Sequence, residues 1–228
     1  MGARRLERSL LLCFLHLACG SNASTPAPCL DAGSGRGEAT YYDADGTGAC
    51  SFDATGDKLV AAMNGTDYAR AAWCGACLDV SGPQGHVIVR VVDSCPGCKV
   101  GSLDLSREAF AKIAPLDAGR VLITWRSVAC EVAGPLAYHF KDGSNPFWTG
   151  IQVREHRYPI AKLEAWDALG QLHEIKRADY NYFVANGLGP GPYAFRVTDT
   201  RGHAHVDAFV PLSPEHTLPG AVQFPTCP

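Results

Sequence analysis

Two aspartates stand where their surroundings could tune a carboxyl group. Asp93 closes a β-branched run, His86-Val87-Ile88-Val89-Arg90-Val91-Val92, and leads into a Cys95-Pro96-Gly97-Cys98 loop. Asp104 follows within Gly101-Ser102-Leu103-Asp104-Leu105-Ser106, two residues before a residue type that caps helices. A helix N-terminus favours negative charge there. Flanking Leu103 and Leu105 would desolvate the carboxyl and raise its pKa. A carboxylic acid kept protonated can donate its proton to a glycosidic oxygen. On residue type alone, Asp104 serves equally well to order the loop before the helix.

The cysteines offer a second chemistry. Cys74-x-x-Cys77 and Cys95-x-x-Cys98, seventeen residues apart, match the spacing of a zinc ribbon. The N-terminus argues against it. Arg4, Arg5 and Arg8 precede an apolar run from Leu10 to Ala18, the pattern of an export signal too short to span a bilayer. Exported chains meet an oxidising compartment, which favours disulfides over thiolates. Beyond the signal, Cys29, Cys50, Cys74, Cys77, Cys95, Cys98, Cys130 and Cys227 make an even set, enough for four bridges of open connectivity. Leu17-Ala18-Cys19-Gly20 resembles a lipobox, so a lipid at Cys19 is the expected route to a membrane, as a cell-surface lipoprotein. Otherwise the protein is expected to be secreted. His156, His203 and His205 form no ligand constellation, and neither a metal nor a cofactor is expected.

The elements that must hold these groups read as mostly β. The chain has 228 residues with 24 Gly and 15 Pro, many turns for its length. Residues 1–19 are the signal, and 20–36 form a small, polar tether. Residues 37–131 contain the 86–92 strand, a second strand over Val121–Arg126, and one helix, Arg107 to Ala114, capped by Ser106 and ended by Pro115. Residues 134–226 alternate apolar and polar positions at Ile151, Val153, Tyr193, Phe195 and Val197, with a turn at Asp199–Gly202. That pattern suggests an immunoglobulin-like β-sandwich. Without residues 1–18 the net charge is near −5, which argues against nucleic acid and is compatible with a neutral polysaccharide.

Several of these stretches occur together in one order. Gly37-Glu38-Ala39-Thr40-Tyr41-Tyr42, the strand ending at Asp93, Leu103–Ser106 with Ala109-Phe110, and Trp125-Arg126 come first. Asn145-Pro146-Phe147-Trp148, Ile151–Arg154, Asp179-Tyr180-Asn181 and Val222–Pro225 follow. The run resembles the expansin family over residues 37–225. The resemblance implies a six-stranded double-psi β-barrel followed by a cellulose-binding β-sandwich. It also implies binding of cellulose and related wall glycans by a monomer, with wall loosening that is not hydrolytic.

Carried over by position, Thr40, Asp93 and Asp104 form the polar floor of the barrel groove, with Asp104 the essential acid. Phe147, Trp148 and Tyr180 form a row of flat aromatics, with Lys141 as a nearby polar contact. Aromatic faces suit the C–H faces of sugar rings. The chain departs from the pattern at Cys95, where some bacterial relatives place a groove tyrosine. Asp43 lies close to the position of a catalytic base in the related inverting endoglucanases. Those enzymes need an acid and a base roughly 6.5–9.5 Å apart. Two other readings compete: a weak endoglucanase or peptidoglycan lytic transglycosylase, and a carbohydrate-binding protein with a vestigial barrel.

Overall fold

A computed structural model describes residues 29–30 and 33–227. The export segment and Cys19 lie outside the described residues.

The first unit is a closed barrel. Its strands are β1 (Ser34–Tyr42), β2 (Val60–Asn64), β3 (Cys77–Gly82), β4 (Gly85–Cys95), β5 (Leu103–Ser106) and β6 (Val121–Val128). They run in the order β1-β5-β2-β4-β3-β6 and close through β6 on β1. The β1–β5 and β2–β4 pairs are parallel. Alternation sends Leu103 and Leu105 into the core and turns Asp104 outward. Helix α1 (Gly65–Tyr68) follows β2, and α2 (Arg107–Ile113) follows β5. The expected cap is present: Ser106 Oγ accepts from the Ala109 N–H at 3.2 Å. Ala109, Phe110 and Ile113 bury the inner face of α2, and Pro115 prevents its continuation. The barrel begins at Ser34, not at Gly37, because Ser34 to Arg36 pair with Arg126 to Thr124. Their small, polar composition reads as tether, yet ladder pairing overrides it.

The second unit contains β7 (Ala137–Phe140), β8 (Trp148–Arg154), β9 (Ile160–Trp166), β10 (Leu172–Arg177), β11 (Phe183–Asn186), β12 (Tyr193–Asp199), β13 (Ala204–Val210) and β14 (Thr217–Pro219). All pairs between these strands are antiparallel, in the order β13-β12-β9-β10-β11-β8-β7-β14. Two four-stranded halves join only through Lys176–Val184 and Arg177–Phe183, between β10 and β11. The halves enclose Tyr138, Phe140, Tyr158, Phe195 and Phe224, all essentially buried. The sandwich reading holds, with the two sheets continuous along one corner.

Disulfides join Cys29 to Cys227, Cys50 to Cys74, Cys77 to Cys130, and Cys95 to Cys98. The first Cys-x-x-Cys pair thus sends its members to different partners, which removes the zinc-ribbon geometry. Cys29 and Cys227 also lie beside His203, but their sulfurs are bonded to each other. His203 directs its other ring nitrogen to Asp199 at 2.8 Å.

The two units meet across a polar seam. Gln152 Nε2 donates to the Cys50 carbonyl at 2.9 Å, and Asn181 Nδ2 to the same oxygen at 3.2 Å. Arg154 donates to Gln152 at 2.5 Å and pairs with Asp53 at 2.6 Å. Arg177 donates to the Ala71 carbonyl at 2.9 Å.

His156, from the second unit, is fully buried with its ring against Gly75 of the first. Burial, then the charges of Arg90 and Arg177, push its pKa down from 6.5 to about 3. The unfolded chain therefore takes up a proton before the folded one as pH falls. His156 contributes stability that is full above pH 6.5 and declines below it, by up to about 1.4 kcal/mol per pH unit. The expected result is a thermal midpoint that falls between pH 6.5 and 4.5. His156→Gln flattens that slope; an unchanged slope in the variant would assign it to other groups.

Candidate functional site

The barrel groove is built by register. Thr40 on β1 lies opposite Asp104 on β5, Asp104 opposite Ala62 on β2, and Ala62 opposite Asp93 on β4. Opposed residues share a face, so the polar positions form one row across four strands. Thr40 Oγ1 donates to Asp104 Oδ1 at 2.5 Å. That bond orients the carboxyl, which is half-buried. Asp93 is anchored differently: its Oδ1 accepts the backbone N–H groups of Ala49 at 2.7 Å and Ser94 at 2.8 Å. Gly48 is required beside it, since a Cβ there would come within 2.5 Å of the Asp93 carboxyl carbon.

Ala62 is buried and small, and the Tyr42 side chain packs against Ala44, Val60 and Val92. Its hydroxyl is buried and has no hydrogen-bond partner among the described residues. Burial, then Asp93, Asp104 and Asp45, push its pKa far above the usual tyrosine value. Tyr42 is therefore a neutral, buried hydroxyl within the electrostatic reach of both acids. It carries no expectation from sequence, although its place two residues after Thr40 puts it on the same strand face. Beyond the Thr40 end, a cleft of about 330 Å³ opens between Glu38, Lys99 and Arg120. Its rim includes Gly97 and Cys98, in the loop closed by the Cys95–Cys98 bridge.

Asp43 lies apart from this row. The Ala44 N–H donates to the Tyr42 carbonyl at 3.1 Å, which makes Asp43 the tip of a γ-turn just past β1. It is exposed.

The aromatic residues of the second unit also come together. Asn145 Oδ1 accepts the N–H groups of Phe147 at 2.9 Å and Trp148 at 3.1 Å. This Asn-Pro turn presents both rings at the start of β8. Phe147 is 82% exposed. Gly150 is the floor under Trp148: a Cβ there would lie 3.2 Å from the indole, 3.1 Å from the Lys141 Cβ and 3.6 Å from the Tyr182 ring. Lys141 Nζ stands 5.2 Å from the centre of the Tyr182 ring. Tyr180 lies 5.8 Å from Tyr182, ring to ring. Lys141, Trp148 and Tyr180 thus gather around Tyr182, which is buried and forms the base of the patch, with Phe147 projecting at its edge. Tyr182 is the member that sequence reasoning misses; its spacing of two from Tyr180 is the signal.

The patch and the groove are joined through the seam. Asn181, between Tyr180 and Tyr182, donates to the Cys50 carbonyl. The neighbouring Ala49 N–H is bound to Asp93. Arg70 pairs with Asp179 at 2.6 Å, and the Tyr68 hydroxyl donates to the Asp179 carbonyl at 3.3 Å. The 178–182 turn is therefore clamped to the barrel.

A family model described as lytic transglycolase matches residues 34–125. Expansin-YoaJ of Bacillus subtilis (strain 168) is 39% identical over 179 residues, covering 74% of this chain and 76% of its own. The crystal structure of apo Clavibacter michiganensis expansin superposes with a TM-score of 0.78 at 34% identity, over 86% of this chain and 100% of that one. A variant of the same expansin in complex with cellohexaose superposes with a TM-score of 0.79 at 33% identity, over 86% and 100%.

Proposed function

The chain belongs to the expansin family, and on that basis we propose that it binds cellulose and related wall glycans and loosens them without hydrolysis. The observation that carries this reading is the continuity between groove and aromatic patch across the Cys50–Asn181 contact. An extended glucan chain lying over both units would stack on Trp148 and Tyr180. It would then meet Thr40, Asp93 and Asp104 in the barrel. A structural relative bound to cellohexaose supports the substrate class. Disulfides and family together fit an extracellular setting.

In this reading Asp104 is the acid of the groove, oriented by Thr40, and Asp93 binds sugar hydroxyls beside it. Inversion at a glycosidic centre needs a second carboxylate with room for a water. Asp93 is engaged by two backbone N–H groups, and Asp43 sits on an exposed turn tip beyond the strand. Neither placement favours a general base. The purified protein is expected to release no reducing ends from soluble β-glucan, and Asp43→Asn is expected to leave that result unchanged. Steady release that Asp43→Asn abolishes would convert the protein into an inverting hydrolase. The match to lytic transglycolases favours a second reading, since a transglycosylase can work with one acid. Peptidoglycan in the same assay tests it: soluble muropeptide release lost in Asp104→Asn would support cleavage.

A further inference from the structure

We propose that the cleft between β10 and β11 is an additional glycan subsite, which takes the end of a neutral β-linked glucan chain running past Phe147. The proposal rests on the glycan-binding reading above and extends it to a part of the second unit outside the aromatic row.

The cleft arises from the sandwich corner. After Lys176–Val184, β10 and β11 no longer pair, and a cavity of about 660 Å³ opens between them. That volume falls within the usual range of small-ligand sites, about 300–1,000 Å³. Trp166, Leu169, Leu188 and Pro190 supply apolar walls, and Asn186 and Glu174 bring polar groups to the mouth. Trp166 is half-buried, while Leu169 and Asn186 are exposed. An aromatic wall beside amide and carboxylate oxygens suits a sugar ring, which has apolar C–H faces and a rim of hydroxyls.

Continuity with the aromatic patch identifies the occupant. Strand β11 is shared by both places. Asn186 pairs with Trp148 and Val184 with Gly150, and both β11 residues line the cleft. Cross-strand partners share a face, so Asn186 and Val184 lie on the Trp148 face, while Ala185, Ile175 and Leu188 carry the cleft inward to the core. The rim is tied to the aromatic turn: the Gly187 N–H donates to the Phe147 carbonyl at 2.8 Å and the Gly189 N–H to the Pro146 carbonyl at 3.0 Å.

Charge selects a neutral ligand. Asp167 accepts from His173 Nε2 at 2.7 Å and from the N–H groups of Leu169 and Gln171. Glu174 pairs with Lys176 at 2.8 Å. With histidine neutral, the lining sets one lysine against two carboxylates, a small negative balance that disfavours an anion. Hydroxyls can share these groups without breaking the pairs.

Calorimetric titration with cellotriose and cellohexaose tests the subsite. The wild-type protein should bind the hexaose roughly tenfold more tightly, a difference of about one hydrogen bond and one apolar contact. Leu169→Ala combined with Asn186→Ala changes two exposed residues. It should bring the hexaose down to near the triose while the triose keeps its affinity, and retained triose binding certifies the fold. Tryptophan emission should change with the hexaose in the wild type and lose that component in Trp166→Phe. A double variant that binds the hexaose as the wild type does would overturn the subsite, as would a wild type indifferent to length. Binding of neither sugar would overturn the glycan-binding reading itself, and the subsite with it.

Discussion

Trp148→Ala lowers binding to crystalline cellulose by roughly 30-fold, the equivalent of about 2 kcal/mol, and leaves thermal unfolding nearly unchanged. The indole lies over Gly150 on the outer face of β8, beside Lys141 and Tyr182, and is only half-buried. Its removal takes away stacking area without opening a cavity in the core. Trp125 is the internal comparison. It is 4% exposed and donates its ring N–H to the Gly101 carbonyl at 2.9 Å. Trp125→Ala should therefore cost about 3–5 kcal/mol of stability. Binding isotherms on cellulose, run beside calorimetric melts, separate the two. If Trp148→Ala melts early and binding falls only with folding, the ring belongs to the core and the platform is misassigned.

Asp104→Asn abolishes wall loosening, by at least about tenfold, while cellulose binding stays within about twofold of wild type. The change is nearly isosteric, and the Thr40 hydroxyl can still donate to the amide oxygen that replaces Oδ1. What is lost is the negative charge and the ability to carry a proton on oxygen in the groove. Thr40→Val should give a smaller loss, because it frees the Asp104 carboxyl without removing it. Extension of heat-inactivated walls and weakening of cellulose paper provide the readouts, with pull-down on cellulose as the control. Full loosening activity in Asp104→Asn would make the barrel dispensable and leave a carbohydrate-binding protein. Loss of binding and loosening together would place Asp104 in substrate capture instead.

The two predictions differ in how they could be reached. Asp104 is legible early, because a carboxylate between two leucines and before a helix cap is unusual in itself. Thr40 becomes legible only through family resemblance, since a threonine in a strand has no chemical signature. Tyr42 was within reach of period-two reasoning from Thr40, but its burial against Ala44, Val60 and Val92 depends on how the barrel closes. Phe147, Trp148 and Tyr180 likewise become legible only through that resemblance, since aromatics in a sandwich otherwise read as core, as the buried Tyr182 is. Only the missing Cβ of Gly150 reveals which aromatics share a surface.

From local patterns alone come the two β-rich units, the helix after Asp104, the even set of eight cysteines and a charge that argues against nucleic acid. Those features depend on residue type and short-range spacing, which a chain carries before it folds. Tertiary structure decided which cysteine meets which, because Cys74 and Cys77 lie three residues apart yet bond to Cys50 and Cys130. It decided that Asp43 falls on a turn tip while Asp93 joins the Asp104 row through a parallel pairing. It also tied the aromatic turn to the barrel through Asn181 and Cys50, and to the rim of the β10–β11 cleft through Gly187 and Phe147. Non-local registers set these distances, and a one-residue slip in any of them would turn the same side chains to another face.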